Sequence, residues 1–176
     1  GGTAIADVLF GRVSPSGKLP VTFYRSTEDL PPFTDYAMDN RTYRYYRGEA
    51  LYPFGYGLGY ADIHLDVAKL SGDGESVAAR LTNRSGIAGA EVVQVYVRDE
   101  QSPFAPRNPV LCGFERVALA PGETREVRIA LDKNARTVVN DAGERVPGSG
   151  HCTFYCGFSQ PDARSESLTG KPCIRL

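Results

Sequence analysis

Glu91-Val92-Val93-Gln94-Val95-Tyr96-Val97-Arg98 alternates without a break, Val93, Val95 and Val97 pointing one way and Gln94, Tyr96 and Arg98 the other. Period two carried by β-branched and aromatic residues reads as strand. The neighbouring stretches continue the pattern. Upstream, Ile63, Leu65 and Val67 share one face, as do Val77, Ala79 and Leu81, with Gly72-Asp73-Gly74 between the two runs and a Gly-containing loop over Asn83 to Ala90. Downstream, Gln101 to Pro109 carries three prolines and reads as a crossing loop, and Val110 to Leu119 is a further strand. In that strand Phe114 is out of step with Val117 and Leu119, which predicts a bulge or bend.

Ala120-Pro121-Gly122-Glu123 places Pro and Gly at the central positions of a type II turn, and Val127, Ile129 and Leu131 follow. Asn140 to Gly143 predicts a hairpin turn between Thr137-Val138-Val139 and Glu144-Arg145-Val146. His151 to Phe158 puts Cys152, Phe154, Cys156 and Phe158 on one face, and a last short strand is expected near Pro172 to Leu176. About seven strands at this spacing predict an antiparallel β-sandwich of the immunoglobulin and fibronectin III-like kind over residues 61–176.

Residues 1–60 are patterned differently. Thr3 to Phe10 reads as a short helix with Ile5, Val8 and Leu9 on one stripe and Gly11 as its cap, and Lys18 to Tyr24 reads as a strand with Leu19, Val21 and Phe23 alternating. One helix and one strand need a larger sheet to cover their apolar faces, so these residues are expected to be the C-terminal remnant of an α/β sandwich domain plus a linker. They should pack poorly unless they lie on the sandwich.

Arg41 to Tyr60 joins the halves and holds six of the ten tyrosines, three arginines and four glycines. As an extended ribbon it would set Arg41, Tyr43, Tyr45 and Arg47 on one side and Thr42, Arg44 and Tyr46 on the other. Flat rings beside guanidinium forks suit sugar recognition, and equally suit gluing two domains. Pro53 and the glycines at 55, 57 and 59 make the second half a fitted connector.

Composition is that of a globular chain, with 41% hydrophobic and 23% charged residues. A net charge of −1 with no basic run argues against nucleic acid or an anionic membrane as partner. No apolar run reaches the roughly 20 residues that span a bilayer.

Of the four cysteines, Cys152 and Cys156 lie about 13 Å apart along one strand and cannot bond each other. All four read as buried small hydrophobes, and with only two histidines, His64 and His151, neither a zinc site nor a cofactor is expected. Both histidines fall at outward strand positions. Glu28, Asp29, Asp35 and Asp39 form an acidic loop that could include a proton donor but reads first as solvated. Gly55-x-Gly57-x-Gly59 lacks the spacing and the following helix of a phosphate loop.

Taken together, Ala4 to Gly11, Pro15 to Phe23, Asp29 to Phe33, Arg41 to Tyr45 and Tyr52 to Leu58 resemble the C-terminal part of family 3 glycoside hydrolases, the β-glucosidase and β-xylosidase group. Glu91 to Val97, Gly113 to Val117 and Leu119 to Glu123 resemble that family's fibronectin type III-like domain. The resemblance runs in order along the whole chain and is weakest over the last twenty residues. It implies a retaining enzyme with an aspartate nucleophile from a barrel domain and a glutamate acid/base usually from the α/β domain.

Both carboxylates would lie upstream, so no catalytic residue is expected in this chain, which alone should be inactive. Its expected partners are the upstream barrel and α/β domains and, through them, a β-glucoside or β-xyloside; Arg41, Tyr43, Arg44 and Tyr45 would line the rim of the cleft. A periplasmic or extracellular location is compatible with a bacterial member of this kind, and these residues leave open whether the protein is exported. The competing readings are a stand-alone carbohydrate-binding module and a protein-interaction sandwich.

Overall fold

The computed structural model describes residues 1–176. It is mainly β, with antiparallel pairing throughout. Strands β1 (Ile63–Leu70), β2 (Ser76–Asn83) and β5 (Thr124–Ala130) form one sheet in the order β1-β2-β5. Opposite lies the sheet β4-β3-β8-β9, built from β3 (Gly89–Asp99), β4 (Val110–Leu119), β8 (Cys152–Gly157) and β9 (Ile174–Arg175). A small hairpin, β6 (Thr137–Val139) and β7 (Arg145–Pro147), forms a separate two-stranded sheet with Val138 buried. The core between the sheets takes Val77, Ala79 and Leu81 from β2, Val93, Val95 and Val97 from β3, and Phe154 and Cys156 from β8.

Turn chemistry sets the connections as expected. Gly122 has φ 71° and Glu123 N–H donates to the Ala120 carbonyl at 3.1 Å, closing the Pro-Gly turn. Val110–Leu119 also carries its expected irregularity, because Cys112 is the extra residue where the register against Val95 and Tyr96 shifts. Beyond it Phe114 faces out, 65% exposed, while Val117 and Leu119 are buried.

One face assignment is corrected in β1. The register slips between Leu65 and Val67, so Ile63 and Ala68 are buried together and Val67 leaves the core face. Asp66 is the bulged residue. Its carboxylate accepts from Thr82 Oγ1 at 2.6 Å and from Arg84 at 3.0 Å, an anchor outside the core that alternation alone could not reveal.

The first sixty residues lie on the sandwich. Helix α1 (Gly2–Leu9) buries none of its side chains. The strand expected over Lys18 to Tyr24 is not a strand: it runs extended beside Leu51 to Tyr56 with a single bridge, Phe23 to Tyr52. Leu19 N–H donates to Tyr56 O, Gly55 N–H to Leu19 O and Leu51 N–H to Phe23 O, but Pro20 and Pro53 have no N–H, so the ladder is interrupted on both sides.

The extended ribbon expected over Arg41 to Arg47 is corrected too. Thr42–Tyr45 forms a single helical turn, α2, with Tyr46 N–H donating to Thr42 O at 3.0 Å. Asn108 from the crossing loop dictates this turn. Its carboxamide donates to the carbonyls of Tyr43 (2.8 Å) and Tyr46 (2.9 Å), and its backbone N–H to that of Arg44 (2.9 Å), satisfying groups that a lone turn would leave orphaned.

A further helix, α3 (Ala163–Thr169), precedes the short last strand and was not expected. Its signals were present. Asp162 accepts from Ser165 N–H as N-cap, and Gly170 ends the helix at φ 65°.

Candidate functional site

The second face of β3 is as buried as the first: Gln94 is 3% exposed and Tyr96 fully buried. What covers it is the connector. Gln94 Nε2 donates to Gly55 O at 3.0 Å and to Phe158 O at 2.9 Å, and Tyr96 O–H donates to Gln94 Oε1 at 2.6 Å. Burial pushes the Tyr96 hydroxyl well above the ordinary tyrosine range, which keeps it a donor. Phe54 meets the Tyr96 ring edge-on at 6.4 Å, and Tyr43 stacks on Phe54 at 4.0 Å. A Cβ at Gly55, whose φ is 78°, would overlap the Gln94 carboxamide.

This stack separates the four ribbon residues. Arg41 turns back into its own loop and donates to the carbonyls of Pro32, Asp35 and Ala37. Tyr43 lies inward, its hydroxyl accepting from Leu111 N–H at 3.2 Å. Arg44 and Tyr45 instead border a cavity of about 250 Å³ together with Phe104, Asn108, Asp132 and Arg145. Arg41 is therefore committed to protein contacts, Tyr43 is held by Leu111 and Phe54 while also lining a second cavity, and only Arg44 among the four is exposed.

On the other side of Tyr43, a second cavity of about 320 Å³ opens between the connector, the Arg107–Asn108 loop and the start of α3. Its wall includes Thr22, whose hydroxyl is covered and without a partner. Asp162 stands at its edge, its carboxyl raised by burial against the opposing pull of the Ser165 and Arg164 N–H groups. Sequence reasoning missed this cavity because two of its walls come from α3 and from a loop sixty residues away from the ribbon.

The acidic loop makes local contacts. Asp29 and Ser26 form a reciprocal cap, Asp35 accepts from Ala37 N–H, and Asp39 pairs with Arg47. His64 Nε2 lies 2.9 Å from the Asp62 carboxylate, and that hydrogen bond lowers Asp62. His151 is exposed, and no serine or cysteine is hydrogen-bonded to either ring. All four cysteines are free, and burial pushes the Cys112, Cys156 and Cys173 thiols up to about 12, far from reactive thiolates.

Residues 1–60 match the family model described as the glycosyl hydrolase family 3 C-terminal domain, and residues 91–160 match the fibronectin type III-like domain. The chain is 44% identical over 139 residues to a xylan 1,4-β-xylosidase of Xylanibacter ruminicola, covering 77% of this chain and 16% of that protein. It is 37% identical over 186 residues to a periplasmic β-glucosidase of Salmonella typhimurium, covering 96% of this chain and 24% of that one. Among solved structures, a β-glucosidase of Bifidobacterium adolescentis superposes with a TM-score of 0.79 at 32% identity, covering all of this chain and 28% of the other. The β-glucosidase of Kluyveromyces marxianus in complex with glucose does so at 0.78 and 31%, over 99% and 22%. The chain thus spans about a quarter or less of the length of the curated relatives it matches.

Proposed function

Because the chain belongs to glycoside hydrolase family 3, carrying the family's C-terminal domain and its fibronectin type III-like domain in that order, we propose that it serves as the C-terminal part of a retaining β-glycosidase. The parent activity would be hydrolysis of terminal β-glucosides or β-xylosides in carbohydrate catabolism. In this reading residues 1–60 complete an upstream α/β domain, residues 61–176 form the sandwich that braces it, and the reactive carboxylates belong to the barrel and α/β domains. Of the ribbon residues, Arg44 and Tyr45 are the pair available to reach the rim of the substrate cleft, while Arg41 and Tyr43 hold the segment in shape.

The observation that carries this reading is where apolar surface is left open. Fourteen of the eighteen large hydrophobic side chains that are exposed lie in the first sixty residues, including Leu9 (74%), Phe10 (79%), Phe33 (94%) and Tyr36 (87%). Such a concentration marks an interaction surface rather than scattered surface residues. Covering a side chain such as Phe33 or Leu9 would return about 1.5–3 kcal/mol each, a drive toward docking that the sandwich half lacks.

The test is a chimera. The corresponding segment of the 44% identical β-xylosidase is replaced by this chain, and by this chain without residues 1–60. Hydrolysis of an aryl xyloside by the first chimera, none by the second and none by the 176-residue chain alone is the expected result. Turnover by the pure chain that disappears on changing one of its own acids would overturn the proposal.

A further inference from the structure

The cavity behind Tyr43 has the composition of a small-molecule site rather than a gap in packing. Gln160 in its wall is only 8% exposed, yet its side-chain amide meets no protein partner. Its polar atoms are not sealed off as the hydroxyls of Thr22 and Ser165 are, so they face open space with their hydrogen-bonding capacity unspent. The Thr22 hydroxyl in the same wall is fully covered and also has no partner.

Beside them stand a guanidinium with no carboxylate on it, that of Arg107, and the Asp162 carboxyl, with Tyr46, Ala50 and Pro53 as apolar surface. The remaining guanidiniums are neutralised: Arg47 pairs with Asp39, and Arg164 lies 3.8 Å from Glu49 while donating to the carbonyls of Ala50 and Leu51.

The wall therefore mixes donors and acceptors with little net charge, which suits a ligand bearing several hydroxyls better than an anion. About 320 Å³ is at the small end of ligand pockets and accommodates one sugar ring. We propose that this cavity is a binding site for a single neutral pyranose, separate from the glycosidic cleft, formed where the connector, the 107–108 loop and the segment Gln160–Arg164 meet. Glucose and xylose are the probes of choice because the proposed parent reaction releases them, and only that choice rests on the family reading. The chimera above reads turnover and this test reads binding, so either can fail without the other.

The ¹⁵N-labelled 176-residue chain is titrated with D-glucose and D-xylose, with D-glucuronate and inorganic phosphate as anionic comparators. Saturable shifts of the Gln160 side-chain amide and of the Gly48 and Arg164 backbone amides by a neutral sugar are the expected result. Gln160→Ala should weaken binding about tenfold, as expected for loss of one oriented polar contact.

Gln160 also borders a shallower hollow beside Lys171 and Cys173, so Arg107→Ala, which touches the proposed cavity alone, is the second variant. The Arg107 side chain is exposed, and its removal should weaken sugar binding several-fold with melting unchanged; if Gln160→Ala does not fold, this variant decides. Absence of saturable shifts with both neutral sugars would overturn the proposal. So would shifts by phosphate or glucuronate alone, or sugar shifts that persist undiminished in both variants.

Discussion

Replacing Tyr96 with Phe removes one hydroxyl and leaves a ring whose edge-on contact with Phe54 is kept. The lost O–H reached Gln94 Oε1 at 2.6 Å, and Gln94 is 3% exposed, so water cannot take its place. A buried acceptor stripped of its donor costs roughly 1–3 kcal/mol, and about 2 kcal/mol is expected here. For a chain of this size that lowers Tm by about 4–8 °C.

Gln94→Ala strips partners from three groups at once, the carbonyls of Gly55 and Phe158 and the Tyr96 hydroxyl, and should cost about 3–5 kcal/mol. The double variant should fall short of the sum by about 1–2 kcal/mol, because both changes break the same bond. Urea unfolding followed by circular dichroism gives the energies, and hydrogen exchange at Gly55 and Tyr56 shows whether the connector has loosened from the sheet. A Tyr96→Phe cost below about 0.5 kcal/mol, strict additivity, or unchanged exchange at Gly55 would refute the view that this latch holds residues 1–60 on the sandwich.

Two further outcomes follow from charges. Lys18 Nζ lies 2.7 Å from Glu91 and donates to Gly57 O at 2.9 Å, both side chains being almost buried; Lys18→Met should cost about 3–5 kcal/mol in denaturant unfolding by leaving Glu91 unpaired, and Lys18→Met with Glu91→Leu should recover most of it. Burial alone would raise Asp99, but N–H donors from Gln101, Ser102 and Ser149 and the Ser149 hydroxyl outweigh it and bring the carboxyl down to about 2. Its folded pKa is therefore below its unfolded one, so the stabilisation, about 1–2 kcal/mol, is complete above pH 5 and lost as pH falls toward 2. Wild type and Asp99→Asn should differ in unfolding free energy at pH 7 and converge near pH 2; a constant difference would be the wrong result.

Local chemistry in the sequence determined the sandwich: alternation fixed the core faces of β2, β3 and β8, and Pro-Gly and Asn-Asp-Ala-Gly fixed turns, because side-chain period and φ preference act within a few residues. It also determined the family, through motifs read in order along the chain. Elsewhere, pattern was overruled by partners distant in the chain. Asp66 found Thr82 and Arg84 and slipped β1 by one residue; Asn108 found the carbonyls of Tyr43 and Tyr46 and wound an apparent ribbon into a turn.

Only the tertiary structure decided that Gln94 and Tyr96, on what alternation offers as the other side of β3, would be buried beneath Gly55 and Phe54. Only it brought Thr22, Arg107 and Gln160 around one cavity. The physical reason is the same in each case: a hydrogen bond or a covered ring is settled by what lies across space, and a one-dimensional pattern records only what each residue offers, not what it meets.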